Sequence, residues 1–171
     1  DFGYIGPGPA INGYIKSNGQ ALEIIDVAAS GGASLIATKG REIKSLQDLA
    51  YKRIAVPQTG GTQDISLRHA LKKIGLSGTD KGGTVDIVQY APEDVLDLIR
   101  RGDLDAAWLP EPWVSRVIKD AGATLVTDER TLWPGGKFAT AVVIVRKDFA
   151  KANPLLVVKT GVMDGIALSE A

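Results

Sequence analysis

The sequence predicts an α/β fold in two lobes, and three observations carry this. Between about residues 45 and 127, short apolar runs alternate with segments of helical period, in the order β-α-β-α-β-α-β. Strands separated by helices need crossovers, which favours a mostly parallel sheet with helices on its faces. The flanks, residues 1–37 and 138–171, each hold too few elements for a core, and together they can form a second lobe.

In the first flank a strand runs into Gly6-Pro7-Gly8-Pro9. A helix follows over about Ala10–Ser17, stopped by Asn18-Gly19, and then come strands Leu22–Ala29 and Ala33–Thr38. Arg53-Ile54-Ala55-Val56-Pro57 reads as a short buried strand ended by proline. Thr62–Ile74 is a helix with Leu67, Ala70, Leu71 and Ile74 at i, i+3, i+4 and i+7. Lys72 and Lys73 in its last turn and Gly75 after it suit a C-terminus. Val85–Val88 is the next strand. Pro92-Glu93-Asp94 opens a helix, with proline in the first turn and two acids at the positive dipole end, and Arg100-Arg101-Gly102 closes it. Strand Asp105–Leu109, helix Trp113–Ala121 and strand Ala123–Val126 complete the series. The last flank gives a strand, Phe138–Arg146, and helical sequence broken at Asn153-Pro154. Chain crossings between the lobes are expected near Ile36–Lys39 and Lys137–Thr140.

The composition is that of a globular chain: 171 residues, 44% hydrophobic and 23% charged. Twenty basic and twenty acidic residues cancel, so no basic face for nucleic acid is indicated. An anionic ligand remains open, because backbone N–H groups can hold one without altering net charge. The absence of cysteine removes disulfides, thiolate metal sites and thiol nucleophiles together. Apolar runs such as Ala139–Val145 are too short to span a bilayer. No signal peptide is evident in a chain that does not begin with methionine.

Ligands of parallel α/β sheets bind beyond the carboxyl ends of the strands. That directs attention to Gln58-Thr59-Gly60-Gly61-Thr62-Gln63-Asp64, which follows a strand and starts a strongly patterned helix. Successive N–H groups, the helix dipole and the Thr59 and Thr62 hydroxyls make a neutral cradle for an anion. An N-cap with a flexible lead-in explains the same residues, and both can hold at once. No Lys-Ser/Thr pair follows, so this is not a nucleotide P-loop. Gly6-Pro7-Gly8-Pro9 offers a close backbone approach before a helix, or simply a tight turn. Ser30-Gly31-Gly32 joins two apolar strands and reads most simply as a turn. In Trp108-Leu109-Pro110-Glu111-Pro112-Trp113, Trp108 belongs to the core, while Trp113 either lines a cleft or packs at a helix start. His69, the sole histidine, lies mid-helix with no partner signalled; no metal, cofactor or catalytic residue is expected. Asp128-Glu129 and Trp133-Pro134-Gly135-Gly136-Lys137 read as a solvated connection.

In succession, "GYIGPGPAINGYIKS", "SGGASLI", "IKSLQDLAYKRIAVPQTGGTQDISLRHAL", "DAAWLPEPWVSRV" and "DERTLWPGGKFATAVVIVRKDF" resemble the nitrate/sulfonate/taurine class of ABC importer substrate-binding proteins. The likeness runs over nearly the whole chain. It implies a periplasmic-binding-protein type II-like fold with ligand between the lobes. Residues 1–37 would be part of lobe 1, 38–137 lobe 2, and 138–171 the return into lobe 1. It also implies that Gly6, Pro7, Gly8, Pro9, Ser30, Gly31, Gly32, Thr59, Gly60, Gly61, Thr62, Gln63, Glu111 and Trp113 face a small oxyanion, such as an aliphatic sulfonate, taurine or nitrate. The implied partner is a membrane permease. The implied place is the periplasm or the outer face of the cell membrane, with a lipid anchor in a Gram-positive organism. Family members carry a first β-α-β unit ahead of "DFGYIG" and more helix after "GIALSEA". The first lobe is therefore expected to be incomplete, and its open strand edge to favour self-association. Two alternatives stand beside this reading. One is an enzyme resembling the pyrimidine-precursor synthases of thiamine biosynthesis, which depend on histidine and cysteine; this chain has one histidine and no cysteine. The other is the effector domain of a transcription regulator, which needs a helix-turn-helix ahead of residue 1.

Overall fold

A computed structural model describes residues 1–160. Along the chain run β1 (Phe2–Ile5), α1 (Pro7–Lys16), β2 (Leu22–Ser30), β3 (Ala33–Ala37), β4 (Arg53–Val56) and α2 (Thr62–Lys73). Then come β5 (Asp86–Gln89), α3 (Pro92–Arg101), β6 (Ala106–Pro110), α4 (Trp113–Ala121) and β7 (Thr124–Asp128). Last are β8 (Ala139–Arg146) and α5 (Lys147–Ala152). Short 3-10 turns lie at Leu46–Leu49, Thr79–Lys81, Glu129–Leu132 and Pro134–Gly136. The chain divides into two compact units. Unit 1 is Asp1–Gly31 with the segment from Lys137 onward, and unit 2 is Gly32–Gly136.

Unit 2 is a five-stranded sheet in the order β5-β4-β6-β3-β7. The β4–β5 and β4–β6 pairs are parallel, as β-α-β crossovers require. The sheet departs from expectation at β3, which lies between β6 and β7 and is antiparallel to both. Residues 33–37 thus belong to unit 2, and the first boundary falls at Gly31/Gly32 instead of 37/38. The physical reason is burial on both faces: all five residues of β3 are buried, which no outer strand of a small sheet could achieve.

The period of two distributes each strand between two cores. On one face Leu35, Ala37, Ile54, Val56, Ala106 and Trp108 meet Leu67, Ala70 and Leu71 of α2. On the other Ile36, Ala55, Ala107 and Leu109 meet Val95, Leu96 and Ile99 of α3 and Val114 and Val117 of α4. Gly102 and Gly122, both left-handed, end α3 and α4. Most of the connection read as solvated is exposed, including Trp133, Pro134, Gly135 and Lys137, but one residue in it is not. Glu129 is 0% exposed, and its carboxylate is satisfied by donors from distant parts of the unit.

Unit 1 is an antiparallel sheet in the order β1-β8-β2. Val142, Val143 and Val145 of the central strand are buried, and Phe2 meets Phe149 edge-on with ring centroids 5.5 Å apart. Helix α1 begins at Pro7, not at Ala10, so the glycine-proline segment is a helical first turn and not a loop. Proline's fixed φ suits that first turn. Tyr4, Ile11, Tyr14, Ile15 and Ile24 are exposed. Among the described residues, no helix is long and apolar enough to cross a membrane.

Candidate functional site

The cradle at the head of α2 grows out of the carboxyl end of β4. Gly61 is the N-cap, extended at φ −77° and ψ 175°, and no side chain caps the helix. The N-cap within the candidate segment is thus Gly61, and Thr62 is the first helical residue. Its Oγ1 is buried and has no hydrogen-bond partner. The first intrahelical bond runs from Ile65 N–H to Gly61 O at 3.0 Å. The N–H groups of Thr62, Gln63 and Asp64 precede it and have no intrahelical acceptor.

The lead-in is held by three bonds. Thr59 N–H donates to Gln89 Oε1 at 2.9 Å, Gly60 N–H to Asp64 Oδ2 at 2.7 Å, and Gly61 N–H to Gln58 O at 3.0 Å. Both glycines are required, for different reasons. Gly60 sits at φ +72°, and a Cβ on Gly61 would lie 2.9 Å from Gln58 O. Asp64, with only 3% of its side chain exposed, is neutralised by Arg68, whose Nε donates to its Oδ1 at 2.7 Å. Arg68 Nη1 also reaches both oxygens of Asp80 at 2.9 and 3.0 Å. Burial works against the guanidinium charge, but the Asp80 and Asp64 carboxylates outweigh it and hold Arg68 above its ordinary value. Asp80 in turn is held below the usual carboxylate range by its hydrogen bond from Arg68. Attraction for an anion at this head therefore comes from N–H groups and the dipole, with its one buried acid already paired.

The remaining candidate residues fall in both units. In unit 1, Gly6 is the N-cap of α1, and Pro7, Gly8 and Pro9 fill its first turn. The only N–H there ahead of the first intrahelical bond, Ala10 to Gly6 O at 3.2 Å, is that of Gly8. Ser30 ends β2, and Gly31, at φ +81°, accepts a hydrogen bond from the Thr140 hydroxyl. In unit 2, Gly32, at φ +72°, accepts from Glu111 N–H at 2.7 Å, so the structure joins the Ser30–Gly32 and Trp108–Trp113 segments through these two residues. The Glu111 carboxylate takes Ser115 N–H at 3.1 Å and the Ser115 hydroxyl at 2.9 Å. It serves the first turn of α4 as a cap. Trp113 packs against the α3–α4 core with the Arg116 guanidinium 5.2 Å from its ring centroid. Among the described residues, no cluster of three or more His, Asp or Glu could hold a metal ion.

The sequence profile described as the NMT1-like family matches residues 8–163. The chain belongs to the NMT1-like family. A taurine-binding periplasmic protein of Escherichia coli (strain K12) is 35% identical over 136 residues, which are 80% of this chain and 40% of that protein. Among solved structures, the periplasmic aliphatic sulphonate binding protein of Escherichia coli superposes with a TM-score of 0.75 at 21% identity, over 94% of this chain and 52% of that one. The periplasmic nitrate-binding protein from Synechocystis PCC 6803 gives 0.72 at 16%, over 96% and 45%. These two likenesses are of fold. The chain spans about half the length of the solved relatives and less of the taurine-binding protein.

Within this NMT1-like chain, the sequence pattern includes Asp64 in the candidate segment without a role and does not point to Arg68, Asp80 or Gln89. The Asp64–Arg68 spacing of i, i+4 was the available signal. The bond from Thr59 to Gln89 spans 30 residues and leaves no local trace in the sequence.

Proposed function

We propose that this chain is the solute-binding component of an ABC importer and holds a small oxyanion, such as an aliphatic sulfonate, taurine or nitrate, at the head of α2. The observation that carries the reading is the set of three α2 N–H groups without an intrahelical acceptor, beside the buried, unpartnered Thr62 hydroxyl. They stand at the carboxyl end of a strand inside a parallel run, where ligands of α/β sheets bind. The similarity to a taurine-binding periplasmic protein supports the ligand class. On this reading the partner is a membrane permease, the working place is the periplasm or the outer face of the membrane, and no bond is made or broken. His69 is engaged in packing, its ring stacked on Trp133 with centroids 6.2 Å apart.

Calorimetric titration with taurine, a panel of alkanesulfonates and nitrate tests this on the wild type and Thr62→Ala. Hydrogen bonds to charged groups are worth about 1.5–3 kcal/mol, so the variant should bind about ten- to a hundredfold more weakly. Because Thr62 caps nothing, its melting temperature should stay near that of the wild type. Equal affinities for the best ligand would move the site away from α2.

A further inference from the structure

We infer that Glu129 is a positioning residue for the anion cradle, tying α2 to β6 and to the segment by which the chain leaves unit 2. The inference rests on the reading of the α2 head as the binding site. Glu129 opens the 3-10 turn after β7 and is fully buried. A buried carboxylate persists only where hydrogen bonds replace its water. Three donors do so here, each from a different element. Ser66 Oγ of α2 donates to Oε1 at 2.5 Å, Trp108 Nε1 of β6 to Oε2 at 2.8 Å, and Trp133 Nε1 to Oε1 at 3.3 Å. All three are uncharged. An apolar side chain of similar volume would fill the space without the desolvation cost. What it would lack is direction: two acceptor oxygens set the placement of three elements at once.

Ser66 lies four residues after Thr62, one turn along the same face of α2. The bond to Glu129 therefore acts one turn from the cradle. At the other end, Trp133 is 37% exposed and borders a cavity of about 120 Å³ shared with Leu46, Ala70, Ile74 and Leu132. The Glu129 bond and the stack on His69 are two of the contacts that hold it. Glu129→Gln offers one acceptor oxygen to three donors. With that oxygen toward Trp108, its amide reverses the Ser66 bond and removes its charge assistance, and it meets the Trp133 N–H with a donor, so the tie to α2 is altered and that to Trp133 is lost.

The test compares Glu129→Gln and Ser66→Ala with Leu104→Ala, a cavity in the core on the opposite face of the sheet. Backbone amide resonances of residues 59–63 are recorded, and nitrate and taurine are titrated, well below each variant's melting temperature. A positioning role predicts that both network variants shift the Gly60 to Gln63 amides and weaken binding about three- to tenfold. Leu104→Ala, though it destabilises at least as much, should leave both unchanged. If the network variants leave the cradle amides in place, or Leu104→Ala moves them equally, the inference is overturned. If Glu129→Gln does not fold, Ser66→Ala decides alone. If the amides shift while the wild type binds neither anion, the positioning stands and the proposed function fails.

Discussion

Helices α1 and α2 both start at a glycine N-cap in extended conformation, Gly6 at φ −63°, ψ 147° and Gly61 at φ −77°, ψ 175°. Both follow a strand within a few residues. Their first turns differ in one respect. Pro7 and Pro9 remove two of the three N–H groups that α1 would otherwise present, whereas Thr62, Gln63 and Asp64 keep all three. The dipole is common to both helices, so if α2 is the binding head and α1 a scaffold head, as proposed, the count of free donors and not the dipole separates them. The buried acid of α2 adds a second contrast. Asp64 holds Gly60 N–H and is itself held by Arg68, so the turn is braced from within its own helix.

Removing that brace should give the largest effect. Arg68→Ala leaves the Asp64 carboxylate buried without its cation and should cost about 3–5 kcal/mol in urea denaturation. Arg68→Lys should recover part of this, since an ammonium cannot reach Asp64 and Asp80 with one planar fork. A loss under about 1 kcal/mol for the alanine variant would show that the brace carries little. Next comes Thr62→Pro, which makes the head of α2 resemble that of α1. Proline is tolerated at the first helical position, and the extended Gly61 suits a following proline. The fold should survive by circular dichroism, while anion affinity falls on the order of a hundredfold from the lost N–H and hydroxyl.

The reverse exchange, Pro7→Ala with Pro9→Ala, adds two donors to α1. If α1 is scaffold, affinity should change by less than about threefold in the same titration. A gain above about tenfold would make α1 a second binding head and end the contrast. The smallest effect is expected from Asp80→Asn, read as thermal stability against pH. The Arg68 guanidinium holds the folded Asp80 carboxyl below the ordinary carboxylate value, so its contribution is complete above that ordinary value and is lost as pH falls through the folded one. Wild type and variant should differ above about pH 4 and converge below it, where the carboxylate is protonated. Because Asp80 is exposed, curves that are parallel throughout this range would leave Asp64 as the partner that matters to Arg68.

Local patterns made much of unit 2 legible. The α2, α3 and α4 segments declare their apolar faces at helical spacing, and their glycine stops lie where left-handed residues end them. What was hidden depended on partners remote in sequence. A five-residue apolar run such as Ala33–Ala37 does not state which sheet takes it, and β3 went to the unit whose two helical layers could cover both its faces. Glu129 follows another acid in a turn-rich stretch, which reads as solvated. Its donors Ser66 and Trp108 lie 63 and 21 residues away. The same holds at the cradle: Gly60 and Gly61 are conspicuous, and the Gln89 side chain that fixes the turn beside them is not. Glu111 shows the opposite error, a conspicuous acid whose carboxylate is occupied with the first turn of its own helix.

The place of β3 between β6 and β7 also sets a timetable for biosynthesis. A ribosome emits the chain from its N-terminus at about 5–20 residues per second, so β6 follows β3 by about 70 residues, or about 4–14 s. Through that interval Leu35 and Ile36, fully buried in the finished unit, have neither neighbouring strand to pair with. This inner strand is thus the first of its sheet to be made and waits for both its neighbours. A nascent chain stalled anywhere between residues 40 and 105 displays this apolar strand to chaperones and to other nascent chains alike.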